Sequence, residues 1–153
     1  LFATLDPSSR RMRFPNEREV IFVDTVGFIR ELPEELVNAF RATLEEVGEA
    51  DLLLQLVDAS NPDFRKQIEV VQNTLSDLEF GEKPRILIFN KIDLLSDFEL
   101  RALLNNYPGA MGVSAFQRRG FEQLILRIQS ELQQSFTGLD PARFLTAGID
   151  EER

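Results

Sequence analysis

The residues with the most particular chemistry are Asn90, Lys91 and Asp93, which follow directly on the apolar run Arg85-Ile-Leu-Ile-Phe89. An ionised aspartate only accepts hydrogen bonds. Guanine shows two adjacent donors, its ring N1 hydrogen and its exocyclic amine, so Asp93 can take both at once. Adenine has no such pair. Asn90 can bond a base acceptor and neighbouring backbone together, and the aliphatic stem of Lys91 can cover the flat face of the base. Downstream, the backbone amides of Ser114 and Ala115 can hold the guanine carbonyl oxygen. Upstream, Val20-Ile-Phe-Val23 ends in Asp24, and Gly27 follows three residues later. Asp24 is placed to reach a metal, and Gly27 lets backbone approach a phosphate closely. Thr4 offers a hydroxyl suited to a hard cation. Each piece alone also reads as a solvated turn or a plain strand-to-loop turn. Their order and spacing join them into one site.

These residues need a scaffold that brings distant turns together. Val20 to Asp24, Leu52 to Val57, Arg85 to Phe89 and Ala110 to Val113 are short apolar runs that read as buried parallel strands. Between them lie helical periods. Pro33 opens the first, with Leu36, Phe40, Leu44 and Val47 on one face. Ile68, Val71, Leu75 and Leu78 mark the second, which Gly81 is expected to end. Ser96 is placed to cap a third helix running through Leu103, and Phe121, Leu124, Ile125, Ile128 and Leu132 build a last one. Phe40, Phe89 and Phe121 fall at core-facing positions. Arg10 to Phe14 reads as an outer strand before the Pro15-Asn16 turn. The expected class is α/β: a mostly parallel sheet with helices on both faces and the ligand loops at the carboxyl edge. Residues 1–134 form one domain, and 135–153 read as a tail or linker.

Composition narrows the chemistry further. The 153 residues are 43% hydrophobic and 28% charged, within the range of a folded domain. Neither Cys nor His occurs, which removes disulfides, Cys/His metal sites and any histidine base from these residues. A hard cation held by oxygens remains open, and a chain without Cys fits a reducing compartment. The net charge is −9, so nucleic acid is repelled in bulk and contact must run through local patches such as Arg10, Arg11 and Arg13 or Arg118 and Arg119. No DNA partner is expected. No apolar run approaches the roughly 20 residues of a membrane span.

With these residues assembled, the chain resembles the HflX-type GTPases, a group within the translation-factor class of P-loop GTPases. The resemblance is carried by Phe2-Ala-Thr-Leu-Asp6, Asp24-Thr-Val-Gly-Phe-Ile-Arg30, Leu36-Val-Asn-Ala-Phe-Arg-Ala-Thr-Leu-Glu-Glu46, Val57-Asp-Ala-Ser60 and Asn90-Lys-Ile-Asp93. It implies a GTP- and GDP-binding domain using Mg2+. In that reading Thr4, within Phe2, Ala3, Leu5 and Asp6, lies in the first switch and coordinates the magnesium. Asp24 holds the metal through water, and Gly27, after Thr25 and Val26, meets the γ-phosphate. Asn90, Lys91, Ile92 and Asp93 read the base, backed by Ser114, Ala115 and Phe116. The large ribosomal subunit is the implied partner and the cytoplasm the implied compartment, with the protein a monomer.

Two departures qualify the resemblance. The phosphate cradle G-x-x-x-x-G-K-[ST] does not occur in these residues, and it supplies most of the grip on phosphates. The expectation is a piece of a longer protein, missing its first strand and phosphate loop and binding nucleotide poorly by itself. Phe28 stands where many GTPases carry a water-orienting glutamine. No catalytic residue is assigned, and Arg30 and Glu31 read as surface charges. A nucleotide-inactive binding module on the same fold is the alternative. A phospho-acceptor receiver domain is disfavoured by Asn90 to Asp93 and by the lack of an early acidic pair.

Overall fold

The structure is a computed structural model that describes residues 8–14, 19–24 and 47–136. Two strands, β1 (Ser8–Arg13) and β2 (Glu19–Asp24), pair antiparallel in register from Ser8 opposite Asp24 to Arg13 opposite Glu19. After the helical residues 47–49, β3 (Leu53–Asp58) leads to α1 (Phe64–Asp77), and β4 (Arg85–Asn90) to a 3-10 turn (Ile92–Leu94) and α2 (Asp97–Asn106). A short β5 (Met111–Gly112) and a long α3 (Phe121–Phe136) complete the described part.

β3, β4 and β5 form a parallel sheet in that order. The side chains favour it: Ile-Leu-Ile-Phe of β4 is apolar on both faces, as a strand covered on both sides must be, and β3 is apolar apart from Gln55. One face packs Ile86 and Ile88 against Val113 and against Leu124 and Ile128 of α3. The other packs Val57 and Phe89 against Ile68 of α1 and Leu103 of α2. Helices thus lie on both faces, as expected. Among the described residues β3 pairs only with β4, and β2 only with β1.

The expectation for β2 needs correction. It is not a buried parallel strand but one arm of an antiparallel hairpin. Val20 and Phe22 pack toward the α3 core, whereas Ile21 and Val23 are 59% and 43% exposed. An antiparallel strand with one covered face alternates in this way, even when its sequence is apolar throughout. The outer strand around Arg10 is confirmed as β1, with Arg10, Arg11 and Arg13 exposed.

Helix ends show how local chemistry fixes the frame. Ser96 caps α2 in a reciprocal box with Glu99: each side chain bonds the other residue's backbone N–H. α1, in contrast, does not run to Gly81. Glu79 takes the left-handed conformation at φ 63°, and its N–H and that of Phe80 bond back to the carbonyls of Ser76 and Leu75. This is the Schellman ending with glutamate where glycine is usual. The Phe80 ring lies so close to Gly48 that a Cβ there would sit 3.2 Å from its Cζ. Phe121 is a further correction, being 38% exposed where a core position was expected. The helix expected from Pro33 lies almost wholly outside the described residues; its last predicted core position, Val47, is helical and buried.

Candidate functional site

The parallel register sets Asp58 beside Asn90, so the loops after β3 and β4 leave the sheet level with each other. Below them Phe89 is fully buried. Its ring meets Phe64 edge-on at 5.7 Å and Tyr107 at 5.2 Å, which anchors the end of β4. The third loop arrives through β5: the N–H of Val113 donates to the Phe89 carbonyl at 2.8 Å, and that of Ile92 to the Val113 carbonyl at 3.2 Å.

Asn90 ties two of these loops. Its Oδ1 accepts from the N–H of Lys91 at 2.8 Å and from that of Ala115 at 3.0 Å. Both bonds use the carbonyl oxygen, leaving the amide NH2 to donate outward. Lys91 sits at φ 63° in the left-handed region, an uncommon place for a side chain with a Cβ. Its ammonium reaches the Asp58 carboxylate, with Nζ to Oδ2 at 2.6 Å. Asp58 Oδ1 in turn accepts from the N–H and hydroxyl of Ser60 at 2.9 and 2.6 Å. The Lys91 contact first, and the Ser60 hydroxyl next, hold the Asp58 carboxyl below the usual aspartate range.

Asp93 lies on the 3-10 turn, half-buried. The hydroxyl of Ser114, which has no exposed surface, donates to its Oδ1 and accepts from the N–H of Gln117 at 3.0 Å. One oxygen of Asp93 is thereby fixed with a lone pair to spare, and with Oδ2 the carboxylate retains two acceptor positions. The amides of Ser114 and Ala115 both have protein acceptors, the Arg119 carbonyl and Asn90 Oδ1. A guanine oxygen reaching Ala115 therefore exchanges with an existing bond. Phe116 is 89% exposed on the turn beyond. That turn closes tightly: Gly120, at φ 83°, approaches so near that an added Cβ would stand 2.4 Å from the Gly112 carbonyl oxygen.

Asn90, Lys91, Ile92, Asp93, Ser114 and Ala115 are thus linked by hydrogen bonds at one edge of the parallel sheet. Asp58, within the Val57-Asp-Ala-Ser60 run that carries part of the resemblance, is a residue of this edge to which the sequence reading gave no role. Its signal was present, since it ends one strand as Asn90 ends the next. Asp24 ends β2 with its side chain exposed. Phe2, Ala3, Thr4, Leu5, Asp6, Thr25, Val26 and Gly27 lie outside the described residues. Among the described residues no group of three or more acidic side chains is arranged to hold a metal. Magnesium, however, keeps several waters and takes only one or two carboxylates beside phosphate oxygens. An exposed carboxylate at a strand end, as Asp24 is, fits that donor set. No described helix is long and apolar enough to cross a membrane.

Comparison with known proteins places this geometry in context. The family described as 50S ribosome-binding GTPase matches residues 1–91. The chain is 50% identical to GTPase HflX of Caldanaerobacter subterraneus subsp. tengcongensis over 132 residues, 86% of this chain and 30% of that protein. It is 42% identical to GTPase HflX of Escherichia coli over 147 residues, 92% of this chain and 34% of that protein. The chain thus spans about a third of the length of the relatives it matches. Among solved structures, the SsGBP and GDP complex superposes with a TM-score of 0.68 at 27% identity, covering 85% of this chain and 44% of that one.

Proposed function

Because this chain belongs to the 50S ribosome-binding GTPase family, in its HflX-type branch, we propose that it is the guanine-recognising and switch portion of a GTPase that binds and hydrolyses GTP. One observation carries the reading: Asp93, held by the buried Ser114, and Asn90, bridging Lys91 and Ala115, converge at one rim of the sheet. That arrangement presents a fixed acceptor pair to a purine edge. Asp93 accepts from N1–H and the exocyclic amine, the Asn90 NH2 donates to a ring acceptor, and the Lys91 stem covers the face.

In this proposal Asp24 and Thr4 hold Mg2+, which neutralises charge on the phosphates. Gly27 gives its amide to the terminal phosphate, and Phe2, Ala3, Leu5, Asp6, Thr25 and Val26 shape the switches around it. Residues 1–134 form the domain, working as a cytoplasmic monomer at the large ribosomal subunit. A phenylalanine at position 28 cannot hydrogen-bond water, so unaided turnover is slow and ribosomal subunits raise it.

Titration calorimetry of the full-length protein with GDP and with ADP, both with magnesium, tests the base reading. Two charge-assisted bonds favour guanine by at least about 100-fold. Equal heats for the two nucleotides overturn it, and no heat from either leaves the nucleotide-inactive binding module.

A further inference from the structure

Lys91 is restrained at both ends. At the backbone, its N–H is held by Asn90 Oδ1 in a left-handed conformation that a residue with a Cβ rarely adopts. At the tip, its ammonium is held by Asp58 across the gap between the β4 and β3 loops. Asp58 cannot swing freely, because Ser60 occupies its other oxygen with two hydrogen bonds. Four methylenes join these anchors, on a residue that begins the turn carrying Asp93.

Stability does not account for the arrangement. The Lys91 and Asp58 side chains are 52% and 32% exposed, and ion pairs this wet contribute little to folding. A fixed apolar bar beside a base-reading carboxylate does have a use. A free lysine stem samples many rotamers and must be ordered when a flat ring lands on it, whereas a tethered one is already ordered.

We propose that Asp58 is a positioning residue of the base site: by holding the Lys91 ammonium it keeps the lysine stem laid out as a platform for the purine face. The inference rests on the guanine reading above and adds a residue to it. Asp58 acts on the ring face and not on its edge, so its effect is blind to the exocyclic amine.

The test compares dissociation of fluorescent GDP and IDP from the full-length protein and its Asp58→Asn, Asp58→Glu, Lys91→Ala and Asp58→Asn/Lys91→Ala variants. Hypoxanthine lacks the exocyclic amine that Asp93 reads. Asp58→Asn is expected to weaken both nucleotides by one common factor of about three- to tenfold. Asp58→Glu restores part of the loss, and the double variant is no weaker than Lys91→Ala alone. Thermal unfolding without nucleotide is expected to be nearly unchanged in Asp58→Asn. Unchanged affinities in Asp58→Asn, an effect on GDP alone, or additive losses in the double variant overturn the inference while leaving the guanine reading intact. A parent protein that binds neither nucleotide overturns both.

Discussion

Ser114 and Asp93, 21 positions apart in the chain, are joined by a hydrogen bond from a fully buried hydroxyl to a half-buried carboxylate oxygen. The serine also accepts from the Gln117 backbone, so a single side chain orients the carboxylate proposed to read the base and folds the turn beyond it. Ser114→Ala removes both bonds and leaves the Gln117 N–H without its acceptor. Urea unfolding is expected to show a loss of about 1–3 kcal/mol. GDP affinity falls as well, because Asp93 is no longer held in one rotamer.

Replacing the carboxylate itself changes which base is accepted. Asp93→Asn offers one acceptor and one donor where two acceptors stood. It mismatches the two guanine donors but complements xanthine, whose C2 position carries a carbonyl oxygen. We expect GDP affinity to fall by at least about tenfold and xanthosine diphosphate affinity to rise relative to it. Competition titration of both nucleotides against the same variant measures the exchange.

Far from this rim, Glu79 tests the backbone. It ends α1 in the left-handed region and takes part in no ion pair described for the structure. Glycine there loses the Cβ clash of about 1–2 kcal/mol, partly offset by about 0.5–1 kcal/mol of extra chain freedom when unfolded. Glu79→Gly is therefore expected to stabilise the protein by up to about 1 kcal/mol, read as a shifted urea midpoint with an unchanged slope.

The Asp58 and Lys91 pair gives a pH dependence of defined sign. Lys91 and Ser60 lower the Asp58 pKa in the folded state, so the unfolded chain binds its proton more readily. The stabilisation is present above the ordinary carboxylate value of about 4 and is lost as pH falls through the folded value. A half-exposed pair contributes at most about 1 kcal/mol. Stability measured from acid pH upward should rise less steeply in Asp58→Asn than in the parent.

Much of this site could be read from residues alone, for physical reasons that differ by element. Ile86 to Phe89 is apolar on both faces and ends abruptly in Asn90, so strand and site loop announced each other. Ser96 and Glu99 stand at the spacing a capping box requires. The Ser114 to Asp93 bond was not legible, because it depends on how β5 meets β4. The ion pair between Asp58 and Lys91 depends on a strand register that no short segment encodes. Val20 to Val23 misled because a run of four apolar residues looks alike whether one face is covered or two. Gly81 misled because glycine is the cheaper left-handed residue. The chain turned at Glu79 instead, where Phe80 is brought against Gly48.

Among the described residues, one side of β3 has no strand partner. Along it runs a row of backbone amides and carbonyls without partners among the described residues, beside a Leu56 that is 63% exposed. Such a border is a template for any passing extended peptide.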